Sequence, residues 1–217
     1  MKRTQAGFTL IELAIVLVII GLLLGGVLKG QELINSAKAK SIASDLKNAQ
    51  IFIYGYQDKF RALPGDDANV VTHITGSTLA TTNGPVGNAR IGGAWNVEDG
   101  TSESALFWQH VRLAGFATGP TLVNDPNYYP RNADNGRIGV QSMTGFNTIT
   151  GMTGLYVVCS ENIRGQLVKQ IDINMDDGDT STGSLRALGA GTAGANTNAI
   201  TTATIVDADP YTVCMSF

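Results

Sequence analysis

Residues 8 to 28, FTLIELAIVLVIIGLLLGGVL, form a run of 21 residues with a single charged side chain, Glu12. That length falls within the roughly 17–25 residues a helix needs to cross the hydrocarbon of a bilayer. An ordinary secretory signal has an apolar core of about 7–15 residues, with small residues at a cut on its far side. Here the block is longer, contains a carboxylate, and is followed by Lys29-Gly30-Gln31-Glu32, which matches such a cut poorly. The preceding MKRTQAG is short and basic, which predicts a cytoplasmic N-terminus. A carboxylate in hydrocarbon costs about 2.5–3.5 kcal/mol at the bilayer centre and less near the surface, so Glu12 needs compensation. A cut between Gly7 and Phe8 would supply it. The new α-amino group lies one helical turn from Glu12, and the same amine on a neighbouring copy can pair with the acid.

GFTLIEL, with Gly7 before the cut, Phe8 as the new N-terminus and Glu12 fifth in the mature chain, resembles the class III signal of type IV prepilins and type II secretion pseudopilins. The resemblance implies cleavage and N-methylation at Phe8 by a prepilin peptidase, and a contact between Glu12 and a neighbour's Phe8 amine during assembly. Other implied partners are further pilin or pseudopilin subunits, an inner-membrane platform protein, an assembly ATPase, and membrane lipid before assembly. The implied location is the bacterial inner membrane, crossed once with the head in the periplasm, and then a filament in the periplasm or at the cell surface. A simple signal anchor is the competing reading of the same segment.

The expected fold is α+β, a pilin-like lollipop: a long helical spine packed on a loop-rich head with a small antiparallel sheet and short helices. Residues 1–7 are the leader, 8–28 the membrane or filament-core helix, 29–61 the amphipathic half of the spine, and 62–217 the head. Ile42, Leu46, Ala49, Ile53, Tyr56 and Phe60 alternate spacings of four and three, which puts one apolar stripe on a helix. A helix from Phe8 to Phe60 would be roughly 80 Å long. Gly21 and Gly25 form GxxxG, and with Gly26 each costs about 1 kcal/mol of helix propensity. Both a loosened segment at 21–26 and a continuous helix remain open, and Gly55 is the likeliest interior flaw. Leu63-Pro64-Gly65 ends the spine.

In the head, Asp66 or Asp67 is expected to cap a short helix, and residues 72–100 read as loop. SESALFWQHVRLAGF predicts a second helix with Thr101 or Ser102 as N-cap and Leu106, Phe107, Val111 and Leu113 as its apolar face. His110 on it reads as a surface or capping residue. Strands are expected at 137–142, 154–160, 183–188 and 211–217, with a short helix containing Ile163, Leu167, Val168 and Ile171 between the second and third. The stretch 189–204 reads as an exposed loop.

The chemistry visible in the sequence is sparse. Cys159 and Cys214 are the only cysteines. A head outside the cytoplasm predicts a disulfide between them, worth about 2–4 kcal/mol, against the alternative of two buried thiols. Asp172, Asn174, Asp176, Asp177 and Asp179 offer hard oxygen ligands for calcium. Their spacing misses the EF-hand pattern at Gly178 and Gly183, and a solvated Asp-Gly turn competes; some pseudopilins hold calcium in a head loop. GAGTAG, 189–194, lacks the following helix that a dinucleotide fingerprint requires. With only His73 and His110 and no nucleophile motif, no cofactor is required and no enzyme is expected. The mature chain has 13 basic and 18 acidic residues once Lys2 and Arg3 are lost, giving −5, so nucleic acid is an improbable partner. The expected role is a structural subunit of a type IV pilus or type II secretion pseudopilus. A minor pilin with an adhesive or DNA-uptake tip, built from loops 72–100 and 189–204, is the alternative.

Overall fold

The alternating three and four spacing is realised in helix α1, Leu10–Phe60, where Ala39, Ile42, Leu46, Ala49, Ile53 and Tyr56 are buried and Phe60 is half-buried. The computed structural model describes residues 9–145, 149–190 and 198–217. Two compact units divide the chain, Met1–Ala37 and Lys38–Phe217. Helix α1 is continuous through Gly21, Gly25 and Gly26, so the single chain adopts the unbroken alternative. Gly55 is no flaw either. A Cβ there would come within 2.8 Å of the Phe116 ring, so this glycine makes room for an aromatic neighbour.

Helix α2 is one turn, Val70–His73, and its N-cap Asn69 makes no side-chain bond. Neither Asp66 nor Asp67 is its N-cap: Asp66 serves a distant loop, and Asp67, two residues before Asn69, accepts from the Asn69 N–H at 2.9 Å and holds the last residue of the turn, His73. Asp66 accepts from the backbone N–H groups of Gly87, Asn88 and Arg90 at 2.5, 3.1 and 3.2 Å. Asp67 Oδ2 accepts from Tyr56 Oη at 2.8 Å and from His73 Nδ1 at 2.7 Å.

Helix α3, Glu103–Leu113, has the expected N-cap: the Ser102 hydroxyl accepts from the Ala105 N–H. Its expected single apolar face is corrected, since every residue from Glu103 to Arg112 is buried. Distant loops cover the polar side. Gln109 donates to Thr121 O at 2.9 Å, Arg112 to Pro120 O at 2.7 Å, and the Tyr128 hydroxyl to Ala105 O at 2.8 Å. His110 is not at the surface. Its Nδ1 accepts from the Gly65 N–H at 2.9 Å, which fixes the tautomer, so Nε2–H donates to Thr78 O at 2.8 Å. Burial holds the imidazole below its ordinary pKa against the opposing pull of the Thr78 carbonyl and Asp67. The ring is a neutral clip between two loops.

Strands β1 (Ile138–Ser142), β2 (Tyr156–Arg164), β3 (Leu185–Gly189) and β4 (Pro210–Ser216) form one antiparallel sheet in the order β1-β2-β4-β3. Ile163, expected in the following helix, instead belongs to β2 and pairs with Tyr211. The register shifts between Ser160 and Ile163, where Asn162 has φ 57°, and this bulge carries the strand two residues further. Helix α4, Gly165–Met175, then buries Leu167, Val168 and Ile171. A 3-10 turn at Thr202–Thr204 lies in the stretch read as loop. The GAGTAG glycines from 191 onward lie outside the described residues.

The free edge of β1 is closed by residues 91–98. Ser142 N–H donates to Ile91 O at 3.0 Å, the Ser142 hydroxyl accepts from Ile91 N–H at 2.7 Å, and Arg137 Nη1 reaches Asn96 O at 2.6 Å. Such coverage blunts a strand edge against pairing with another chain. At the other end, Asp134 binds Lys38 Nζ at 2.7 Å and Arg164 Nε at 3.1 Å. Burial alone would raise the Asp134 pKa, but the hydrogen bonds from Arg164 and Lys38 hold the carboxyl below its ordinary value.

Candidate functional site

Gly7 and Phe8, the expected processing residues, lie outside the described residues. Glu12 is described, on the exposed first turn of α1. Its carboxylate Oε2 accepts from both Thr9 N–H and Thr9 Oγ1–H at 2.8 Å, while the Thr9 hydroxyl accepts from Glu12 N–H at 3.3 Å. Thr9-x-x-Glu12 is thus a capping box. The reciprocal bonds satisfy two otherwise unpaired helix N–H groups, and they give the acid a partner within its own chain. The T-x-x-E pattern was present in the sequence and identifies the box without a structure.

Fourteen large apolar side chains between Leu10 and Leu28 are exposed, from Leu10 at 88% to Ile20 at 46%. The segment is long and apolar enough to cross a membrane, and none of its most apolar window is buried. That separates it from the core helix of a soluble protein, which passes the same test of length while packed. At about 1.5–3 kcal/mol per side chain, leaving it in water would cost roughly 20–40 kcal/mol. A chain with this helix therefore requires lipid or other apolar helices around it.

In the second unit, Cys159 on β2 and Cys214 on β4 face each other in register and form a disulfide, which decides between the bridge and the two thiols. Of the five expected calcium ligands, Asp172, Asp176 and Asp177 come together, each offering an oxygen within 4.8 Å of the others. Asn174 is exposed on α4, two residues from Asp172 and so on another side of the helix. Asp179 turns its Oδ1 to the Ser181 N–H at 3.0 Å and hydroxyl at 2.7 Å.

One buried acid was not foreseen. Glu103 is fully buried, with Oε2 accepting from Gly92 N–H at 2.6 Å and Oε1 without a partner. Burial pushes its carboxyl up to about 7, with Asp66 adding repulsion and the Gly92 amide opposing the shift. The unfolded side chain titrates near 4.3. The native state therefore holds the extra proton between these values, and stability falls as the pH rises through that window. Glu103→Gln is expected to reduce the decline and to stabilise the protein by about 1–2 kcal/mol at pH 8. Urea midpoints at pH 5 and pH 8 read this directly, and an unchanged difference between them would show that Glu103 ionises without cost.

An unburied apolar helix that begins with a capped glutamate, in a chain whose second unit is a disulfide-bridged α+β fold, defines a protein held by its N-terminal segment. Residues 2–28 match the prokaryotic N-terminal methylation motif, the class III signal of type IV pilins and pseudopilins. The chain thus has a type IV pilin-like N-terminus, of the kind processed by prepilin peptidase. Comparison with curated proteins and with solved structures found no match.

Proposed function

We propose that this chain is a structural filament subunit of a type IV pilus or a type II secretion pseudopilus. Prepilin peptidase cuts between Gly7 and Phe8 and methylates the new amine. The subunit waits in the inner membrane with its head in the periplasm, and a platform protein and an ATPase then drive it into the filament. The observation that carries this reading is the wholly unburied apolar helix under the methylation motif. In lipid, that helix is solvated; in the filament, the helices of other copies replace the lipid. The Thr9 bonds to Glu12 complement this scheme, since they hold the acid in the monomer and leave it available to a neighbour's Phe8 amine.

Gly7→Phe is expected to leave the leader attached, and Glu12→Ala to insert in the membrane yet fail to enter filaments. Intact-mass measurement and recovery of sheared filaments read the two outcomes. Normal processing of the first variant would refute the cut site, and normal incorporation of the second would refute the pairing. An abundant band in sheared filaments is the expected result for a major subunit. A trace band would favour the tip module.

A further inference from the structure

The chain contains two Asn-Gly pairs, Asn83-Gly84 and Asn135-Gly136, and in both the asparagine has a left-handed backbone, with φ 70° and 64°. Before a glycine, an asparagine side-chain amide is open to attack by the next backbone nitrogen, because no Cβ blocks the approach. The fold treats the two pairs oppositely. Gly136 is buried, its N–H donates to Asn132 Oδ1 at 2.9 Å, and its carbonyl accepts from Asn132 N–H at 2.8 Å. Asn135 is held on both sides, its N–H by Asn132 O at 2.9 Å and its carbonyl by Arg131 Nη1 at 3.0 Å. A nitrogen bound in this way is not free to turn toward the Asn135 side chain.

Asn83 and Gly84 are exposed, and among the described residues neither the Asn83 side-chain amide nor the Gly84 N–H has a hydrogen-bond partner. The anchors lie on either side of the pair: the Thr82 hydroxyl meets that of Thr101 at 3.1 Å, and the Gly87 N–H donates to Asp66 at 2.5 Å. On its inner side the Asn83 carbonyl rests on Gly92, where a Cβ would come within 2.5 Å of it. Gly92 N–H is in turn the donor that holds the buried Glu103 carboxyl, at 2.6 Å from Oε2. A change in the Asn83 backbone is therefore felt at Glu103.

We propose that Asn83 is a site of spontaneous covalent modification, deamidation through a cyclic imide with Gly84, and that the fold protects Asn135 from the same reaction. The Gly84 nitrogen gives its proton to solvent base and attacks Asn83 Cγ. The N–Cγ bond forms, the Cγ–Nδ2 bond breaks, and Nδ2 leaves as ammonia with a proton taken from water. Water then opens the ring. Addition at Cγ restores the normal backbone and leaves aspartate. Addition at the backbone carbonyl routes the chain through the former side chain and leaves isoaspartate. No oxidant or reductant takes part. Both products gain one negative charge, but only isoaspartate lengthens the backbone by a methylene. In it, the oxygen that rests on Gly92 becomes part of the new carboxylate, which puts a charge against the Gly92 bond to Glu103 and loosens it.

The test is timed incubation of the full-length protein in detergent in warm, mildly alkaline buffer, with an unincubated sample as reference. Digestion and fragmentation mass spectrometry are expected to locate conversion at Asn83 at least about tenfold faster than at Asn135, whose neighbouring N–H must first be released by local opening. Isoaspartate, separated from aspartate by chromatography of the peptides, identifies the cyclic imide, since direct hydrolysis of the amide gives aspartate alone. The melting temperature should fall by about 2–4 °C as isoaspartate accumulates, the effect of one weakened buried hydrogen bond in a protein of this size. Asn83→Asp adds the charge without lengthening the chain and should melt with the unincubated protein. Asn83→Gly suits the left-handed backbone and lacks the amide, so its melting temperature should not drift during the incubation. An Asn83 amide that survives intact, equal rates at Asn83 and Asn135, or aspartate without isoaspartate would overturn the proposal. An equal loss in Asn83→Asp, or the same drift in Asn83→Gly, would overturn the effect assigned to the lengthened backbone at Gly92.

Discussion

Replacing both Cys159 and Cys214 with alanine is expected to lower the unfolding free energy by about 4 kcal/mol, a large part of the stability of an ordinary domain. The bridge spans 55 residues. Within that loop lie the end of β2, all of α4 and β3, and the start of β4. Cross-linking so long a segment removes many conformations from the unfolded chain, and the loop-closure relation gives about 4 kcal/mol for this length at 25 °C. The native state should lose much less. Val157, Val158, Cys159 and Ser160 are already paired with β4 through backbone hydrogen bonds. The two cysteines pack with Trp95, Val157 and Leu188, so the variant also has a thinner core at that point. The expected signature is a fall in the urea midpoint with the near-ultraviolet circular dichroism of the folded protein retained. A loss below about 1 kcal/mol would show that the unfolded chain is constrained by something other than the bridge.

Features that depend on neighbours in sequence were the ones open to inspection before any coordinates. The stripe from Ile42 to Tyr56 declares its buried side because every member is three or four residues from the next. The N-cap at Ser102, the four strands and the convergence of Asp176 with Asp177 are local in the same sense. His110 is the opposite case. Its two partners stand 45 and 32 residues away, and a histidine without nearby ligands reads as a surface group until Gly65 and Thr78 are brought to it. Glu103 and Arg112 lie outside the apolar face of α3 that the sequence offers, Leu106, Phe107, Val111 and Leu113, yet both are buried, under loops from residues 92 and 120–128. Such burial is decided by the packing of long connections, and those carry no periodicity. The acidic cluster at Asp172 lies between these extremes. Its residue types were visible, but a loop of five ligands was expected. The helix persists to Met175 and turns Asn174 away, so the buried Asp172 is held on helical geometry instead.

Gly139→Ala is expected to destabilise the protein by about 3 kcal/mol, although alanine is tolerated in most strands. Gly139 is the second residue of β1, and a Cβ built on it would lie 1.8 Å from Trp95 O and 2.7 Å from Trp95 C. The obstacle is backbone, so no rotamer change relieves it. Trp95 is itself tied down, because its backbone N–H donates to Gln141 Oε1 at 2.8 Å and its side chain packs beside the disulfide. Alanine must therefore push residues 91–98 off the edge of β1, and with them the Arg137 bonds to Asn96 O and Val97 O. Gly55→Ala supplies the contrast. Its nearest obstacle is the Phe116 ring at 2.8 Å, the end of a side chain that can shift. The gain in helix propensity of about 1 kcal/mol opposes that small displacement, and a change within about 1 kcal/mol is expected. Urea unfolding of the two variants side by side tests the distinction, and equal losses would mean that the loop over β1 yields as readily as a phenylalanine ring. A second consequence separates Gly139→Ala from a simple core defect. Uncovering β1 exposes an unpaired strand edge, so this variant should also associate at concentrations where Gly55→Ala stays dispersed.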